Sequence, residues 1–190
     1  MAWCQNSVVG RLEEPREHNG PYGSIPSIAA PLTRLIGRAS ELQAVGEMLR
    51  RARLVTLTGP AGVGKTRTAI ELGRGQAGQR ADGVWLVDLA PVGRAEDVAA
   101  EAARVLGIRG APRDATTDAV RRYLADRDVF LLLDNCEHVL DACAELGMTL
   151  LGACPNLRIL ATSREPLGIS GEAVCRLCLL YTSPSPRDRS

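Results

Sequence analysis

One lysine occurs among the 190 residues, Lys65, and every other basic side chain is arginine. A surplus of charge of either sign is also missing: Lys and Arg total 23 against 22 Asp and Glu, a formal charge of +1. This near-neutrality gives the segment no bulk electrostatic means of holding nucleic acid or a membrane surface. Long apolar runs are lacking, since the longest are short and broken by charge, so no membrane span is expected. The N-terminus has no basic-then-apolar pattern of a signal peptide, which makes a cytoplasmic address the default. Only two histidines are present, and His138 with Cys136 and Cys143 does not reach the spacing of a tetrahedral metal site. Packing or helix capping is the expectation for His138. No internal repeat stands out.

The chain is long enough for one ordinary domain with a full core, so its six cysteines need not form a disulfide scaffold. Cys136, Cys143 and Cys154 fall in or beside apolar patterns and read as reduced, buried thiols. Residues 1–30 hold Pro15, Gly20, Pro21, Gly23 and Pro26 without a sustained period and are expected to form a flexible arm. From Cys178 onward the residues Cys-Leu-Leu-Tyr-Thr-Ser-Pro-Ser-Pro-Arg-Asp resemble the in-frame translation of a transposase-type sequencing adapter. On that reading residues 178–190 are a disordered, non-natural tail. The natural sequence then stops at Leu177, within a longer protein, and the folded core is residues 31–177.

Between these ends, helical and strand patterns alternate. Amphipathic helix is predicted over 41–53, with Leu42, Val45 and Leu49 on one face, and further helices over 65–74, 96–106, 116–126 and 137–154. Strands are predicted over 54–58, 83–89, 128–134 and 157–162, with a short edge strand over 173–177. The unbroken run Phe130-Leu131-Leu132-Leu133 suits a parallel strand covered on both faces. The alternation implies a three-layer α/β fold with a parallel sheet.

The first strand feeds Gly59-Pro60-Ala61-Gly62-Val63-Gly64-Lys65-Thr66, a full match to the phosphate-binding loop G-x-x-x-x-G-K-[ST] in its required strand-to-helix setting. Glycines let backbone amides turn inward around phosphates, and the following helix adds its positive end. The isolated lysine fits this chemistry: a compact ammonium reaches between β- and γ-phosphates where a planar guanidinium cannot. Residues Gly59 to Thr66, with the adjoining Arg67, are the candidate nucleotide cradle. The Thr66 hydroxyl would ligate Mg²⁺. Asp134, closing the most apolar strand, is the candidate second metal residue. Its successor, Asn135, can hydrogen-bond a water but cannot take its proton. Glu137 is the nearest acid, yet the dipole of a helix's first turn favours Glu there for structural reasons alone. Arg164, just beyond a strand, could reach the γ-phosphate. Slow turnover or a nucleotide switch follows, with Lys65, Asp134, Asn135 and Arg164 as the catalytic set.

With these residues in place, the chain resembles the STAND class of P-loop ATPases, which includes NB-ARC proteins and large bacterial LuxR-type and antibiotic-regulatory transcription factors. The carrying segments are Leu35-Ile36-Gly37-Arg38, residues 54–66, residues 84–89, Leu131 to His138, and Ile159 to Leu167. The resemblance implies ATP and ADP as ligands with Mg²⁺, and a sheet in order 5-1-4-3-2 that puts Arg164 opposite the γ-phosphate. It also implies Ile36, Gly37 and Arg38 on the adenine and ribose side. DNA would be met only through a domain outside this chain, and self-association would belong to the full-length protein. Two rival readings are a P-loop kinase of small molecules and a mechanical AAA-type ATPase. A kinase should show an arginine-rich lid, and a mechanical ATPase a second acid after Asp134.

Overall fold

The computed structural model describes residues 37–178 apart from 111, 113 and 114. The expected arm, Ile36 and residues 179–190 lie outside the described residues. In chain order the elements are α1 (Ala39–Arg51), β1 (Leu54–Thr58), α2 (Lys65–Gln76), β2 (Val84–Asp88), α3 (Val98–Val105), α4 (Thr116–Leu124), β3 (Phe130–Asp134), α5 (Leu140–Ala153), β4 (Arg158–Ser163) and β5 (Glu172–Arg176). Single 3₁₀ turns at Ala95–Asp97 and Cys136–His138 precede α3 and α5.

The five strands form one sheet in the order β2-β3-β4-β1-β5, all parallel. This is the 5-1-4-3-2 order implied by the resemblance, with β4 inserted between β1 and β3. Alternation along each strand sends neighbouring side chains to opposite faces. Leu131 and Leu133 join Val87, Ile159 and Ala161 beneath α3, α4 and α5, while Phe130 and Leu132 join Val55, Leu57 and Leu160 beneath α1 and α2. The continuous apolar run of β3 therefore needs no polar alternation, because both of its faces are dry. Arg158 donates to the carbonyls of Leu49 and Ala52 at the end of α1, satisfying acceptors that a helix C-terminus leaves open. Among the described residues, no helix is long and apolar enough to cross a membrane.

Helix 137–154 departs from expectation at its start. Asn135 adopts the left-handed conformation, φ 63° and ψ 46°, and Val139 is extended in φ at −133°. These two breaks confine residues 136–138 to an isolated 3₁₀ turn and delay α5 to Leu140. Likewise α4 ends at Leu124 and not at Asp126. A parallel sheet puts its ligand crevice at the carboxyl ends of the strands, and here those ends carry Thr58, Asp88, Asp134 and Ser163.

Core truncation should be costly and specific. Leu132 is 1% exposed, so Leu132→Ala is expected to lower unfolding free energy by about 2–5 kcal/mol in urea titrations. Met148, 54% exposed, should tolerate Ala within about 0.5 kcal/mol.

Candidate functional site

The loop after β1 is shaped by two glycines with different requirements. Gly64, at the N-cap of α2, has φ 92°, a left-handed value that a side chain disfavours. Gly59 is needed for space: a Cβ there would lie 2.6 Å from the Leu177 carbonyl oxygen. Lys65, 8% exposed, donates from Nζ to the carbonyls of Gly59 at 2.9 Å and Pro60 at 3.1 Å. Its ammonium is thus anchored across the loop, with two of three N–H groups used on the loop's own backbone.

Under the loop sits the Asp134 carboxylate, 4% exposed. Thr66 Oγ1 donates to Asp134 Oδ1 at 2.8 Å, and Thr162 Oγ1 donates to the same oxygen at 2.5 Å. Asn135 Nδ2 donates to Asp134 Oδ2 at 3.1 Å and to Asp88 Oδ1 at 3.2 Å. Burial pushes the Asp134 carboxyl above the ordinary carboxylate range. The two threonine hydroxyls oppose that shift, and the neighbouring charges of Asp88 and Glu137 add to it. A hard divalent cation takes oxygen donors; Thr66 and Asp134 present such a pair side by side, so the residues present fit Mg²⁺.

A cleft of about 400 Å³ opens over this pair, lined in part by Gly62, Lys65, Thr66, Arg67, Asn135 and Glu137. The structure thus brings the loop, Asp134 and Asn135 together at the head of the sheet. Arg164 lies one step aside. It lines an adjoining cleft of about 580 Å³ with Thr58, Gly59, Pro60 and Arg176, and its Nε is 3.4 Å from Glu137 Oε1.

One reading needs correction. Glu137 is not in the first turn of a long helix, where the dipole would account for it, but in the isolated 3₁₀ turn, facing the Lys65 cleft. Arg38, expected on the adenine and ribose side, has a guanidinium that is 3% exposed and bonded to protein groups. It donates to the Val63 carbonyl at 2.7 Å, the Cys178 carbonyl at 2.8 Å and Glu41 Oε1 at 3.0 Å, which makes it a clamp on the loop. Gly37 is exposed, with φ 80°, and lines neither cleft. His138 Nε2 donates to the Val92 carbonyl at 2.8 Å, in keeping with a packing role. Cys136 is buried, and its hydrogen bond with Cys143, together with burial, pushes its thiol well above the ordinary range.

A family model described as "AAA domain" matches residues 48–169, from the last turn of α1 through the loop, Asp134 and Arg164. The chain belongs to the AAA domain family. Beyond this AAA match, the chain is 52% identical over 130 residues to the "Putative HTH-type transcriptional regulator" of Mycobacterium tuberculosis, a stretch covering 68% of this chain and 14% of that protein. A second M. tuberculosis protein is 42% identical over 146 residues, covering 77% of this chain and 37% of its own length. The AAA chain therefore spans a minor part of the relatives it matches. Among solved structures, Cdc6p from Pyrobaculum aerophilum aligns with TM-score 0.58 and 24% identity over 80% of this chain and 48% of its own. A STAND protein with a tetratricopeptide repeat sensor from Pyrococcus horikoshii aligns with TM-score 0.55 and 16% identity over 78% and 25%. These two likenesses are of fold.

The AAA core also holds Asp88 in the site, which sequence reading passed over. Its place beside Asp134 follows from the β2–β3 register, in which the two aspartates are paired. Two outcomes are expected. Arg38→Ala, by leaving buried carbonyls without a donor, should cost about 1–3 kcal/mol in denaturant unfolding. The wild-type thermal midpoint should carry a contribution from Asp134 that declines as pH rises. The native state holds this carboxyl above its unfolded-state value, so ionisation weakens the fold as pH rises through the interval between the two values. Thermal unfolding followed across that interval should show this contribution fully present below it and lost above it.

Proposed function

We propose that this AAA core is the ATP-binding, slowly hydrolysing nucleotide switch of a bacterial signalling ATPase of the STAND class, within a transcriptional regulator. The observation that carries the reading is the Thr66–Asp134 hydrogen bond beneath the phosphate loop, with an amide, Asn135, where a second acid would make a fast hydrolase. Gly59 to Thr66 would hold the phosphates, and Thr66 with Asp134 would hold Mg²⁺. The metal, when bound, neutralises charge on the β- and γ-phosphate oxygens. Arg67, on the cleft wall beside Thr66, would lie along the phosphates.

Restraint is built into the residues nearest the cleft. The Asn135 amide is occupied by Asp134 and Asp88 and has no basic site. Arg164 would report the γ-phosphate from the end of β4, in exchange for its contact with Glu137. ATP would then favour one conformation and ADP another by their different contacts with Arg164. The regulator role draws on the name of the M. tuberculosis relative; DNA contact and self-association would belong to other parts of the full-length protein, in the cytoplasm.

The test is binding of mant-ATP and mant-ADP with Mg²⁺ to the chain and to Lys65→Ala, with phosphate release followed in the same samples. Binding abolished by the substitution and turnover below about 1 s⁻¹, the low end of ordinary enzymes, is expected. Lysine-dependent turnover well above that rate would overturn the switch and direct attention to an acceptor substrate.

A further inference from the structure

We infer that the open edge of β5 is a self-pairing surface, at which a second copy of this chain lays its own β5 antiparallel and merges the two sheets into one. β5 closes the sheet on one side and is hydrogen-bonded to β1 alone among the described residues. The Leu177 amide donates to the Thr58 carbonyl, and the parallel register of β5 on β1 carries that direction back to Cys175 and Ala173. Backbone groups alternate in direction along a ladder, so those of Glu172, Val174 and Arg176 face away from the sheet. An unpaired row of this kind is a template for another strand. β5 carries no proline, its register on β1 is unbroken, and Val174 at its centre is 41% exposed.

The run Glu172-Ala173-Val174-Cys175-Arg176 is its own complement in charge. A two-fold axis through Val174 sets each Glu172 opposite Arg176 of the second copy, and Val174 opposite Val174. These side chains share one face, because they alternate with Ala173 and Cys175, which pack toward α1 and α2. A parallel approach would set Glu172 beside Glu172, and a slip of the antiparallel register would lose both ion pairs. In the centred register the Val174 backbones exchange hydrogen bonds, and each Arg176 amide donates to the Glu172 carbonyl of the other copy. The Glu172 amide is already taken by the Ile169 carbonyl at 3.2 Å, so the ladder ends there. The Glu172 carboxylate accepts from the Leu167 and Gly168 amides at 2.8 Å each; these bonds fix it in place and leave lone pairs for a guanidinium. Two strands of five residues meeting edge to edge bury less than the roughly 1,000 Å² of a stable interface. The association is therefore weak and follows concentration. It needs no nucleotide and stands apart from the switch reading.

The experiment follows the full chain by sedimentation velocity at rising concentration, as wild type, Arg176→Glu and Val174→Cys, with circular dichroism to establish folding. Wild type should pass from monomer to dimer. Arg176→Glu sets like charges opposite each other at both ends of the pairing and should weaken the dimer at least about tenfold. Val174→Cys under mild oxidation should link two copies through position 174, since opposed residues of a hydrogen-bonded antiparallel pair lie about 5.5 Å apart at Cα, within the span of a disulfide. Peptide mapping separates this bridge from any through the exposed Cys178. A monomer at every concentration with no link through position 174, as when another segment covers the edge, overturns the pairing. A dimer of undiminished affinity in folded Arg176→Glu, or bridges that run only through other cysteines, puts self-association on another surface and overturns it as well.

Discussion

A buried carboxylate at the end of the central strand governs the architecture of the site. Asp134 lies at the edge of the dry interior, where an unaccompanied charge would be intolerable. Three elements therefore supply donors to it: Thr66 from the first turn of α2, Thr162 from β4, and Asn135 from the turn that follows β3. Those same bonds fix the position of the phosphate loop relative to the sheet. With Thr66 tied down, the start of α2 cannot drift, and Lys65 is held beside it against the Gly59 and Pro60 carbonyls. The interaction is a poor source of stability, as buried charges are, and a good source of geometry. An AAA core of this kind accepts electrostatic cost at one point to gain fixed placement of Thr66, Lys65 and the glycine loop.

The order of the sheet follows from the same constraint. With β4 between β1 and β3, Thr162 is brought next to Asp134, and Ser163 is set opposite Thr58. The strand that carries Arg164 thus passes between the loop strand and the acid strand. Its exit puts the guanidinium against Glu137, on the rim between two clefts. Arg164 and Glu137, 30 and 3 residues past Asp134 along the chain, are thus brought together by the order of the strands.

Much of this was legible in the sequence, for reasons of distance along the chain. The phosphate loop is a contiguous motif, and its isolated lysine stands out against an arginine-rich background. The apolar run of β3 marked a strand covered on two faces, and Asp134 at its end was the obvious acid. Strand order was not readable from periodicity, which carries no information on neighbours, and came only through family resemblance. What escaped notice depended on backbone handedness or remote contacts. Nothing in the letters Asp-Asn-Cys-Glu indicates that Asn135 turns left-handed, yet that turn decides whether Glu137 begins a helix or faces the cleft. Arg38 makes hydrogen bonds across 25 and 140 positions. No local pattern could distinguish such a clamp from a ligand contact.

The clamp also ties the loop to the end of the described chain. The chain leaves the described core beside the site: the Leu177 amide donates to Thr58 at 2.7 Å, its carbonyl crowds Gly59, and the next carbonyl is gripped by Arg38, which also grips Val63. A displacement of Gly59 or Val63 in the loop is therefore met directly at Leu177 and Cys178, through one close backbone approach and one shared guanidinium.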